Sequence, residues 1–373
     1  MVFIPKHKRF QGSLMGVRIG DALGMPWESM THERILETTG PEGVITFWNP
    51  QQRSDAPQWT QGLKRLNPGD YTDDWQMTRA GVRSFIHCGE FDPYHLAISY
   101  LEEMECSRLG WGQTTVSGME RIKKWTDEGH PGLPVSLLSQ PPSIGTGSGN
   151  GVVMRIGPMG LIHYRVYEDD WHRFSGLPTH LLHVIWEVGG LTHPDPRATI
   201  GAFAVASLIA KIVSFDDVVS DREMLLRLLE GTLREVRFME KNKSSKHFPQ
   251  MNEEPFSSRL AQISTAIASG LSADEVRTQF GTSSFTLESA AFAIATFLRH
   301  PTDFTAALKE AVEAGGDTDT NAAIVGSLVG ANVGLQGIPK AWRNFREDFA
   351  EAKRLGAGLW ATCQRHHQPH RRQ

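Results

Sequence analysis

The chain has 373 residues, 40% of them hydrophobic, a formal net charge of −4 and a sequence pI ≈ 6.4. A polypeptide of this kind can bury a sizeable core, and its charge gives it no general attraction to nucleic acid or to an anionic membrane. Its three cysteines, Cys88, Cys106 and Cys363, form no disulfide framework and no CxxC metal pair, which points to a reducing compartment, the cytoplasm.

The opening stretch MVFIPKHKRFQGSLMG is broken by Pro5, Lys6, Lys8 and Arg9 and lacks the apolar core of a signal peptide. No run reaches the ~18 uninterrupted apolar residues of a membrane helix. Gly12, Gly16, Gly20 and Gly24 then recur every four residues. On a helix they make one stripe without side chains, open to close approach by a second backbone. Leu14, Met15, Val17, Ile19 and Leu23 supply apolar filling, so a helix is expected despite a cost of roughly 1 kcal/mol per glycine. Asp21 and Glu28 fall near its C-terminal end. From about Thr31 to Pro68 the sequence turns irregular, with Pro41, Pro50, Pro57 and three aromatics, Phe47, Trp48 and Trp59. Residues 31–68 read either as a lid over a site or as a packed surface excursion.

Asn67-Pro68-Gly69 is a turn, and Thr72-Asp73-Asp74 opens a helix expected to reach Cys88. Residues 93–130 read as helix broken at Gly110-Trp111-Gly112, and Pro131–Pro142 as a connector. At 145–160, GTGSGNGVVMRIGPMG alternates glycine with Thr146, Ser148 and Asn150. It has neither a preceding strand nor GK[ST], so it is no P-loop; its N–H groups could still converge on an anion, with a plain flexible loop as the alternative. Ser175–Thr179 is a turn, and His193 could contact a ligand or cap a turn. Helices are expected over 198–213, 220–239, 259–269, 273–280, 287–299 and 304–313, with an exposed loop at Lys241–Glu254. Alternating strand patterns are scarce, which makes the fold class all-α.

Gly315-Gly316-Asp317-Thr318-Asp319-Thr320 precedes NAAIVGSLVGANVG, a charge-free run suited to a buried helix. Asp317 or Thr318 can cap that helix, and one cap is enough. A second carboxylate facing a core repels the first or takes up a proton unless a cation compensates it. Hard oxygen ligands of this kind suit Mg²⁺, Ca²⁺ or Mn²⁺ better than zinc. Thr72-Asp73-Asp74 likewise exceeds capping needs, although acids in a first turn also answer the helix dipole. If both clusters share one metal site, residues 317 − 74 = 243 positions apart must meet. That favours one helical domain over 1–363, with 364–373 as a polar tail.

In order along nearly the whole chain, GDALGMPWE at 20–28, YTDDWQMT at 71–78, GSGNGVVMRIGPMG at 147–160, LTHPD at 191–195 and GGDTDTNAAIVGSLVGA at 315–331 resemble the ADP-ribosylglycohydrolase family. The resemblance implies a single compact orthogonal helical bundle around two divalent ions, Mg²⁺ or Mn²⁺. It implies an enzyme that releases ADP-ribose from a modified protein or a small conjugate, arginine being the first-choice acceptor and serine or another O-link the second. Thr72, Asp73, Asp74, Asp317, Asp319 and Thr320 would be the metal ligands. Glu28 or a metal-bound carboxylate such as Asp73 or Asp74 would handle the proton. Ser148, Gly149, Asn150 and Gly151 would line the diphosphate and ribose, and His193 would touch the ligand. The Trp after TDD and the pair Val152-Val153 depart from the family pattern and bear on substrate choice. The rival functions are a hydrolase of small nucleotides or N-glycosides and a non-catalytic ADP-ribose-binding module.

Overall fold

The computed structural model describes residues 2–53, 66–133, 147–168, 177–241 and 255–365. Among these there is no sheet, only three isolated bridges, so the all-α expectation holds. The helices are α1 (Lys6–Gly24), α2 (His32–Thr39), α3 (Asp73–Cys88), α4 (Pro93–Cys106), α5 (Gln113–Asp127), α6 (Gly157–Ile162), α7 (Thr179–Gly190) and α8 (Pro196–Ser214). They continue with α9 (Arg222–Lys241), α10 (Phe256–Ser269), α11 (Ala273–Phe280), α12 (Thr286–Arg299), α13 (Phe304–Glu313), α14 (Thr318–Val333), α15 (Lys340–Arg343) and α16 (Ala350–Arg365).

The glycine stripe explains the centre. A Cβ at Gly12 would lie 2.3 Å from the Gly330 carbonyl oxygen, at Gly16 1.9 Å from that of Gly326, and at Gly20 2.2 Å from that of Ala322. At Gly24 it would lie 2.3 Å from the Thr318 oxygen. The partner positions fall as α1 rises, so α1 and α14 run antiparallel with their backbones in contact. Every residue of α14 is buried. Arg9 donates to the carbonyls of Ala331 and Asn332 (3.1 and 2.9 Å), placing a cation on the exposed carbonyls at the C-terminal end of α14. At the opposite end the Thr318 hydroxyl donates to the Gly24 carbonyl (2.8 Å), which fixes the start of α14 beside the end of α1.

Around this pair lie α3, α8, α12, α13 and α16. Helix α8 has a mean hydropathy of 1.5 over an 18-residue window, enough by length and composition to cross a membrane, but 94% of that window is buried inside the protein. It holds no uninterrupted apolar run of that length, because Thr199, Ser207 and Lys211 sit within the helix expected over 198–213. Lys211 is buried and paired with Glu235 of α9 (2.6 Å), whose other oxygen accepts from the Tyr167 hydroxyl (3.0 Å).

Five helices, α2, α6, α7, α15 and α16, were not expected, and two of them bear on earlier readings. Helix α2 lies within the stretch read as irregular; Thr31 caps it, accepting from the Arg34 N–H, and only Ile35 of the helix is buried, so no apolar period advertises it. Helix α16 carries past the boundary at 363 to Arg365, burying Ala352, Gly356, Leu359, Thr362 and Cys363 on one face. The rest of the tail, 366–373, lies outside the described residues, as do 54–65 of the expected lid, 134–146 of the connector and glycine loop, 169–176 and 242–254.

Candidate active site

The end of α1 is tied to the start of α14 by more than side-chain packing. After Gly24 the chain makes one 3₁₀ turn, Met25–Trp27, and then reaches Glu28. Ser29 has φ +64, the one positive φ at a non-glycine position among the described residues. That turn lets the Ser29 N–H donate to the Gly316 carbonyl (2.7 Å) while the Gly316 N–H donates to the Met30 carbonyl (2.9 Å). Gly315 and Gly316 have φ +75 and +79, and a Cβ at Gly315 would meet the Met30 oxygen at 2.7 Å. Gly315 therefore makes room for this strap, which sets Glu28 beside Asp317, while Gly316 makes room for Thr282, whose carbonyl oxygen a Cβ would meet at 2.6 Å.

Asp317 occupies the N-cap position of α14 but makes no capping bond. Its carboxylate accepts instead from the Asn150 side-chain amide (3.0 Å), which also donates to the Ser289 hydroxyl (2.8 Å). Asn150 is thus a bracket between the glycine loop and α14. The loop itself is docked on 284–286: the Asn150 N–H donates to the Ser284 carbonyl and the Thr286 N–H to the Ser148 carbonyl.

Thr72 precedes α3 but does not cap it either. Asp21, fully buried in α1, takes that part from a distance, accepting the Thr72 N–H (2.9 Å), the Thr72 hydroxyl (2.9 Å) and the Trp75 N–H (2.9 Å). With the first turn satisfied from outside, Asp73 and Asp74 are released for other work. The Asp74 Oδ2 meets the Thr320 hydroxyl at 3.4 Å, so the two clusters predicted to converge do meet.

One cavity of about 570 Å³ is lined by Glu28, Asp73, Asp317, Asp319 and Thr320 on one side, and by Gly149, Asn150, Gly151 and His193 on another. Thr72, Asp74 and Ser148 do not reach its wall. The 108–115 segment closes a further side. There Gly110 has φ +83, and a Cβ on it would lie 2.3 Å from the Asp73 Oδ1. Trp111 is fixed by its indole N–H donating to the Gln76 side chain (2.7 Å). Asp21, Gly110 and Trp111 were missed as site residues. The one available signal was Asp21, a lone carboxylate in an otherwise apolar glycine stripe.

Burial, then the neighbouring Asp317 and Asp73, push Glu28 up to about 8, against the pull of Arg53. Burial and Asp21 do the same to Asp73, also to about 8. Asp74 and Asp319 are raised by burial first and by surrounding carboxylates second. Among the described residues no three His, Cys, Asp or Glu side chains already close on a single point, so the fit to a metal rests on donor chemistry. The Asp74 Oδ1 is buried with no hydrogen-bond partner, and the set is all hard oxygen, which suits Mg²⁺ or Mn²⁺.

The raised carboxylates make a stability prediction for the metal-free protein. Below about pH 4 both folded and unfolded chains hold these protons, and there is no difference. As pH rises toward 8 the unfolded chain loses them while the folded chain keeps them, so stability must fall, by about 1.4 kcal/mol per pH unit for each proton of difference. Thermal melts in chelator between pH 6 and 8 should show this decline, and added Mg²⁺ or Mn²⁺ should flatten it. A chelated protein equally stable at both ends would contradict the crowding of charge.

Comparison with known proteins places the chain. The ADP-ribosylglycohydrolase family profile matches residues 4–369. The chain is 27% identical to ADP-ribosylhydrolase ARH3 of Mus musculus over 371 residues, 95% of this chain and 92% of that protein. It is 23% identical to the ADP-ribosyl-[dinitrogen reductase] glycohydrolase of Rhodospirillum rubrum, over 90% of this chain and 89% of that one. Among solved structures, an ADP-ribosylglycohydrolase-related protein complex superposes with a TM-score of 0.65 at 23% identity, covering 96% of this chain and 99% of the other, and so shares the fold. With a family match running from one end to the other and a single acid-lined cavity wall built from the motifs that carry it, the chain belongs to the ADP-ribosylglycohydrolase family of glycosidase-type hydrolases.

Proposed function

We propose that the chain hydrolyses the glycosidic bond between ADP-ribose and a protein side chain, with arginine the first-choice acceptor and serine or another O-link the second. Thr72, Asp73, Asp74, Asp317, Asp319 and Thr320 would hold two divalent ions, Mg²⁺ or Mn²⁺. The observation carrying this reading is the meeting of carboxylates from the starts of α3 and α14 at one cavity, within a family that cleaves ADP-ribose linkages. A relative named for a protein substrate supports a protein acceptor.

Bound ions would lower the pKa of a water and hold ribose hydroxyls. The chain's own groups do the rest. Cleavage passes through a state with positive charge on the sugar, and a wall of carboxylates favours it. Glu28 lines the cavity, is held by the strap to Gly316 and has its carboxyl raised toward neutral pH in the metal-free site, within range for proton transfer. Asn150 and the 284–286 contacts hold Asp317 and the glycine loop in register.

The test is a panel of arginine-, serine- and nucleic-acid-linked ADP-ribose, each with Mg²⁺, Mn²⁺ or chelator, read as free ADP-ribose. Metal-dependent release from a protein is expected; a blank panel alongside cleavage of a small nucleotide or N-glycoside would replace this reading. Full turnover by Glu28→Gln would remove Glu28 from the mechanism. Gly110→Ala is expected to leave the protein folded, at a backbone cost of about 1–2 kcal/mol, and to lower kcat/KM about 10²-fold, since its Cβ must displace Asp73. Kinetics together with a melting curve check it, and wild-type turnover would show Asp73 tolerant of the shift.

A further inference from the structure

The glycine loop was read either as an anion cradle or as a plain flexible loop, and it packs against His193. A Cβ at Gly147 would lie 3.1 Å from the His193 Cα, at Gly149 3.5 Å from its Nε2, and at Gly151 2.6 Å from its Cε1. Only at Gly151 does the imidazole itself bar a side chain; at Gly149 a Cβ would make an ordinary contact with the ring, and Gly147, at φ +84, packs against the His193 backbone, Thr114 and Pro194. His193 is buried, lines the cavity, and makes no hydrogen bond through Nε2 to a described residue.

The other face of the ring is anchored. Nδ1 lies 2.8 Å from the Thr192 Oγ1, which lies 2.7 Å from the Arg155 Nη2. A guanidinium only donates, so Arg155 fills one lone pair of the Thr192 oxygen. The hydroxyl's own hydrogen has one acceptor among the described residues, the His193 Nδ1. Nδ1 must then offer its lone pair, and the neutral ring carries its proton on Nε2, toward the cavity. Arg155 is itself immobilised: it is buried, its Nη1 meets the Met77 Sδ (3.2 Å), its Nη2 meets the Val188 carbonyl (3.4 Å), and it lies over the Tyr100 ring at 5.0 Å. Burial, followed by the charge of Arg155, pushes His193 down to about 3, so the ring stays neutral.

We propose that Arg155 and Thr192 are positioning residues that lock His193 as an Nε2–H donor to an oxygen of the bound substrate. The identity of that oxygen, on the diphosphate or ribose of ADP-ribose, rests on the function proposed above; the tautomer does not. The glycine loop then serves as a clasp that keeps the donor aimed.

The experiment uses the full chain labelled with ¹⁵N-histidine in Mg²⁺, the His193 signals being assigned by their loss in His193→Asn. Unaltered protein should show a bare Nδ1 and a protonated Nε2. Thr192→Val should lose that preference and weaken ADP-ribose binding, by calorimetry, about 10-fold. Thr192→Ser keeps the hydroxyl and should restore both to within about 2-fold of the unaltered protein. Protonation at Nδ1 in the unaltered protein would overturn the proposal, as would equal affinities for the Val and Ser variants. Failure of the unaltered protein to bind ADP-ribose would instead sink the functional reading and the substrate role with it, while the nitrogen shifts still decide the relay.

Discussion

Asp319→Asn is expected to lower kcat/KM by about 10³-fold while raising the melting temperature of the metal-free protein. The two effects have one origin. Asp319 is buried, and its carboxyl is raised by desolvation and by Glu28, Asp317 and Asp74, so in the absence of a cation its charge opposes folding. The amide has nearly the same shape, and its oxygen can still accept the Thr320 N–H that Asp319 accepts at 2.9 Å. Removing the charge should therefore stabilise the chelated protein by about 1 kcal/mol or more, worth roughly 2 °C in a chain of this size. If Asp319 holds a metal as proposed, losing that hard ligand removes several kcal/mol of transition-state stabilisation, which gives the loss of rate. The rise in melting temperature on adding Mg²⁺ or Mn²⁺ should shrink in the variant. Retained turnover, or a metal-free variant that melts below the unaltered protein, would mean that Asp319 is a structural acid.

Gly16→Ala is expected to cost at least about 4 kcal/mol and to depress the melting temperature by at least roughly 5 °C. Its Cβ would sit 1.9 Å from the Gly326 oxygen and 2.3 Å from the Gly326 carbonyl carbon, and backbone cannot turn aside as a side chain can. Both helices must separate, and Asp21 on one and Asp319 on the other separate with them, so activity should fall too. Gly112→Ala is the stability control: nothing lies within 4 Å of its Cβ, and a change within about 0.5 kcal/mol is expected. If Gly16→Ala melts like Gly112→Ala, the contact between α1 and α14 is looser than described.

What the sequence revealed was what repeats or exceeds local need. The four-residue glycine period survives in linear form because one helix face is straight, and the surplus of acids at 72–74 and 317–319 shows because a helix start needs a single acceptor. Phe304–Glu313, with a full apolar face, and Ala273–Phe280, opened by the Ser272–Glu275 capping box, were bounded to the residue. What stayed hidden depends on partners remote in sequence. Asp21 caps a helix 51 positions away, Gly110 makes room for Asp73, and Gly151 makes room for the His193 ring. No local pattern carries those relations, and helix α2, with one buried residue, has no pattern to carry.

The union of α1 with α14 also sets the order of events during synthesis. Gly12 leaves the ribosome 330 − 12 = 318 residues before Gly330, its partner. At about 5–20 residues per second the first helix waits for roughly 15 seconds to a minute with its bare, sticky face uncovered. Until α14 emerges, the face of α1 that it buries has no partner, and only then can the two helices zip together and the acid-lined chamber form.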